Sequence, residues 1–123
     1  MTIGEAISRL DGLHHNTYSK SDKITWLSNL DGLIKRTIID THEGGEDISF
    51  TGYDDNTDTG TQLLVSAPYE DIYLRWMESQ IDYNNAEYER YNNSAAAYNS
   101  VYAAYNNYYN RTHTPNGGKI KYF

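Results

Sequence analysis

Cysteine is absent, which removes a disulfide scaffold, a thiolate metal site and a cysteine nucleophile. Proline is scarce, with only Pro68 and Pro115 in 123 residues. There is no apolar run long enough to span a membrane. The opening MTIGEAISRLDG also lacks the hydrophobic segment of a signal peptide. The expectation is a chain that is neither exported nor membrane-bound, so the N-x-S/T sequons at Asn92 and Asn110 read as chance.

Catalytic signatures are missing as well. The sequence has no G-x-S-x-G, P-loop, G-x-G-x-x-G or H-E-x-x-H. His14, His15, His42 and His113 show no ligand spacing along a helix, and His42 is expected on a surface loop. A calcium loop starting at Asp54 needs Gly at its sixth position and Glu at its twelfth, where Thr59 and Val65 stand. No enzyme activity, cofactor or metal is expected.

Positive charge is lacking in one stretch. Residues 40–66 carry Asp40, Glu43, Glu46, Asp47, Asp54, Asp55 and Asp58 without a Lys or Arg. The remaining acids and bases balance at ten each, so the net charge of −7 is a local acidic patch. Such a patch opposes tight phosphate binding.

What the chain does have is a long patterned segment, residues 67–111. Steps of three and four from Leu74 meet Met77, Ile81, Asn84, Tyr88, Tyr91, Ala95, Tyr98, Tyr102, Tyr105 and Tyr109. That spacing puts one seam on one helix face, broken only at Asn84. Pro68 suits a first helical position, and the helix runs ~65 Å if unbroken, with a kink conceivable at Asn84–Asn85. Eight Tyr and eight Asn fall between Tyr83 and Asn110. Asn is a poor helix former, so packing must hold this segment. Tyr and Asn with few charges suit a protein–protein contact, so Tyr88, Tyr91, Tyr98, Tyr102, Tyr105 and Tyr109 are candidate interface residues. An intramolecular core stripe is the equal alternative.

Upstream, Thr2 and Glu5 form a capping-box pattern ahead of Ile3, Ala6, Ile7 and Leu10. A second helix starts near Ser19 and buries Ile24, Leu27, Leu30, Leu33, Ile34 and Ile38, with Gly32 marking a close backbone neighbour. From Glu46 to Ala67 two short apolar runs flank GYDDNTDTGT, which predicts a β-hairpin or a projecting loop with Asp54, Asp55 and Asp58 at its tip. The fold class is therefore mainly α: a small helical bundle of residues 1–111, with the hairpin or loop inserted at about 46–66. Residues 112–123 form an extended tail, whose Lys119, Lys121, Tyr122 and Phe123 are candidates for docking on a neighbour.

This layout resembles the small head–tail connector (adaptor) proteins of tailed bacteriophages. The likeness rests on Leu63-Leu64-Val65-Ser66-Ala67-Pro68-Tyr69, then Tyr73-Leu74-Arg75-Trp76 and Gln80-Ile81-Asp82-Tyr83, and a closing Tyr/Asn helix ending Tyr108-Tyr109-Asn110-Arg111. The resemblance implies a virion protein assembled in the host cytoplasm as a ring of about a dozen copies. Its partners would be itself, the portal and the next tail component, with DNA passing through the channel unbound. The rival expectation is an intracellular helical interaction module, a small homo-oligomer using the seam as a coiled coil. Charges flanking the seam, expected of a coiled coil, are sparse beyond Arg90.

Overall fold

The computed structural model describes residues 1–116. Four α-helices make the bundle: α1 (Ile3–Leu13), α2 (Lys20–Ile34), α3 (Asp71–Asn84) and α4 (Tyr88–Thr112). The mainly helical class is as expected, with no β-strand among the described residues. The segment between α2 and α3 is a loop, so the hairpin alternative falls away.

α1 begins with the expected capping box. Thr2 Oγ1 accepts from the Glu5 amide, and Glu5 accepts from the Thr2 amide. Ser19 caps α2 by accepting from the Asp22 amide. Ile24, Leu27, Leu30, Ile34 and Ile38 are buried as the stripe requires, whereas Leu33 is exposed. α2 widens into a π-helical turn, Lys35–Ile39, before the chain reverses. Gly45 lies tight against this turn: a Cβ there would stand 2.3 Å from the Ile39 carbonyl oxygen. At Gly32 the neighbour is the Phe50 ring at 3.6 Å, not a backbone.

The single long helix is corrected by the structure. The chain turns back at residues 85–87, and α4 runs antiparallel to α3. Ring contacts prove the direction: Tyr83 meets Tyr91, Trp76 meets Tyr98, and Tyr69 meets Tyr105, with centroids 5.4, 5.0 and 5.7 Å apart. The reversal is a Schellman closure. The Glu87 amide donates to the Asp82 carbonyl and the Ala86 amide to the Tyr83 carbonyl. Ala86 takes the left-handed position at φ 59°, where Gly is usual. Pro68 lies in the turn before α3 and is not its first helical residue.

Both ends of the described residues are tied down. Met1, through its amine, contacts Glu70, and the amides of Ile3, Gly4 and Leu63 bond across to Thr61, Thr59 and Met1 carbonyls. After α4, Glu43 donates its amide to the Thr114 carbonyl, and Asn116 donates its amide to that of Thr41.

Candidate assembly surfaces

The fold-back sorts the six seam tyrosines of residues 88–109. Tyr98, Tyr105 and Tyr109 are buried inside the chain, Tyr91 and Tyr102 are half-buried, and Tyr88 is 62% exposed. Tyr98 packs its ring on Trp76, whose indole N–H donates to the Trp26 carbonyl at 2.9 Å. Tyr105 lies against Tyr69, which also meets Tyr108. The interface expectation for Tyr98, Tyr105 and Tyr109 is thereby corrected: the face they share with α3 is already covered. Burial pushes the Tyr98 hydroxyl up to about 12, with Tyr102 adding to it, and raises Tyr105 and Tyr109 as well. The Tyr98 hydroxyl has no hydrogen-bond partner.

The opposite face of α4 is open. Asn92, Ala96, Asn99, Ala103, Asn107 and Asn110 are exposed, and residues 91–110 carry no charged side chain. An outward helix face in water normally carries Lys, Glu or Arg. Here its flanks alone are charged, at Arg90 and Arg111.

Asp54, Asp55 and Asp58 are exposed at the loop tip, where they shape turns: the Asn56 amide donates to Asp54 and the Gly60 amide to Asp58. The loop lies strapped to the bundle on both sides of this tip. Tyr53 donates its amide to Ser28 Oγ and its hydroxyl to Asp31, both on α2. A shallow cavity of about 300 Å³ opens between the arms, lined by Phe50, Tyr53, Thr57, Thr61, Gln62 and Leu64.

Of the buried polar residues, Asp31 and His42 join distant segments, which their sequence positions do not foretell. Asp31, on α2, is 0% exposed and accepts from Tyr53, Tyr73 and the Leu64 amide. Its apolar neighbours in sequence gave no sign that a loop would return over it. His42 corrects the surface-loop expectation: it is 3% exposed, because the chain after α4 folds over it. Its Nδ1 lies 2.6 Å from the Ile38 carbonyl oxygen and its Nε2 2.7 Å from the Asn110 carboxamide. The Tyr109 ring stands edge-on beside it and stacks on His113. His42 thus fastens the end of α4 to the π-helical turn. The tail candidates Lys119, Lys121, Tyr122 and Phe123 lie outside the described residues.

Among the described residues no group of three or more His, Cys, Asp or Glu converges as a metal site, and no helix is long and apolar enough to cross a membrane. No protein-family model, curated protein or solved structure matches the chain.

Proposed function

We propose that this chain is a non-catalytic assembly subunit, a head–tail connector of a tailed bacteriophage that forms a ring between portal and tail. The outward face of α4 carries this reading. A helix face of Asn and Ala with no charge over residues 91–110 is poorly suited to lone exposure and well suited to a second copy. Carboxamides both donate and accept, so like faces can pair, and the alanines permit close approach of helices. A chain of net charge −7 repels its copies wherever charges meet, and this face avoids that cost.

The acidic loop supports the same reading. Asp54, Asp55 and Asp58, repeated around a channel, would repel phosphates and let DNA pass without adhering. The resemblance in residues 63–83 and 108–111 supplies the virion setting. Residues 119–123 are assigned to docking on the portal by that analogy.

Quantitative mass spectrometry on purified particles of the source phage tests the proposal. About a dozen copies per particle is the expected result. Absence from intact particles, with the protein abundant in infected cells, would contradict it and leave the intracellular interaction module.

A further inference from the structure

Asp31 sits where both arms of the acidic loop return to α2. Its Oδ2 accepts from the Tyr53 hydroxyl at 2.6 Å and from the Leu64 amide at 3.1 Å. Its Oδ1 accepts from the Tyr73 hydroxyl at 2.7 Å, and that hydroxyl in turn accepts from the Val65 amide at 2.7 Å. Tyr53 belongs to the outgoing arm, Leu64 and Val65 to the returning arm. One carboxyl group therefore joins the two sides of the loop. The ion pairs among the described residues do not include it.

Every group that faces Asp31 is neutral: Tyr53 from the loop, Tyr73 from α3 and, acting at longer range, Tyr105 from α4. Three donors favour the ionised carboxylate, yet its burial without a cation opposes that charge. Burial prevails and raises the Asp31 carboxyl above the ordinary carboxylate range, against the pull of Tyr53, Tyr73 and the Leu64 amide. With the loop lifted, water replaces Tyr53 and the Leu64 amide beside the carboxyl while Tyr73 stays on α3, so its value falls back toward the ordinary range. The docked loop thus holds a proton more tightly than the lifted one.

We propose that Asp31 makes the acidic loop a proton-controlled strap, seated on α2 when the carboxyl is protonated and loosened when it ionises. Linkage fixes the sign. Docking is at full strength below the ordinary aspartate pKa and weakens as pH rises, until the raised value is passed. The proton leaves to solvent, and no bond other than O–H changes. Loosening frees the exposed tip and lifts Leu63 and Val65, both buried, off the bundle. The strap does not depend on the assembly role proposed above.

Amide hydrogen exchange at Leu64 and Val65, followed by NMR from about pH 4 to about pH 8 and corrected for intrinsic rates, tests the strap. In the unmodified chain the opening equilibrium is expected to rise about tenfold per pH unit across the window set by one proton. Asp31→Asn should remove this slope. The combined change of Asp54, Asp55 and Asp58 to Asn should leave it intact, because those carboxylates stand at the exposed tip. Tyr53→Phe deletes one donor to the ionised form, so its window should end at higher pH. This variant keeps the test alive if Asp31→Asn does not fold. A flat profile in the unmodified chain, an equal slope in Asp31→Asn, or an unmoved window in Tyr53→Phe would each overturn the proposal.

Discussion

The two faces of α4 are made from the same few residue types and do opposite things. The inner face sets its aromatic rings against α3 and the turn before it, where Tyr98 meets Trp76 and Tyr105 meets Tyr69. Its outer face, from Asn92 to Asn107, offers carboxamides and methyl groups to no described partner, while Asn110 at its end is taken up by His42. A helix so rich in Asn has weak intrinsic propensity, so the inner face must supply the monomer's stability. What remains outside is free to serve contact with other chains.

Truncation should separate the faces most sharply. Tyr105→Ala, which removes a buried ring, is expected to cost about 3–5 kcal/mol in chemical denaturation. A cost under about 1 kcal/mol would mean that the inner face is not the source of stability.

Of the two faces of α4, alkaline pH should act on the inner one. Tyr98 is pushed up to about 12 and Tyr105 is raised too, so the fold holds their protons more tightly than the unfolded chain does. Stability they confer is complete below the ordinary tyrosine pKa of about 10 and declines as pH climbs from there through the raised values. Tyrosinate absorbance and far-UV circular dichroism should change together in that window. Tyr98→Phe should blunt the change.

The same substitution sharpens the comparison at neutral pH. Because the Tyr98 hydroxyl is buried without a partner, Tyr98→Phe should raise stability by about 1 kcal/mol in denaturant titration. Loss of stability would indicate a bond that the hydroxyl makes. Smallest of all, Asn99→Ala on the outer face should shift the isolated monomer by no more than about 0.5 kcal/mol, toward greater stability.

Much of this architecture could be read from residue spacing. Thr2 with Glu5 marked the start of α1, Ser19 marked α2, and the three-and-four steps found the buried tyrosines. The break in the seam at Asn84 marked the place but reads equally as a kink, and the full reversal at residues 85–87 escaped because Ala86, not Gly, occupies the left-handed position. Asp31 and His42 escaped for a different reason. Their burial comes from segments far along the chain, the loop of Tyr53 and Leu64 and the end of α4 at Asn110. The outer face was in plain view as a run without charge, but the tyrosines beside it drew the interface assignment.

The central claim, that the outer face of α4 joins copies while the inner face builds the monomer, is tested by Ala96→Arg combined with Ala103→Arg. Assembly would be measured by negative-stain microscopy of particles and rings, beside far-UV circular dichroism of the purified subunit. The account predicts lost assembly with an unchanged helical spectrum and unfolding midpoint. Rings that form normally with both arginines in place would contradict it.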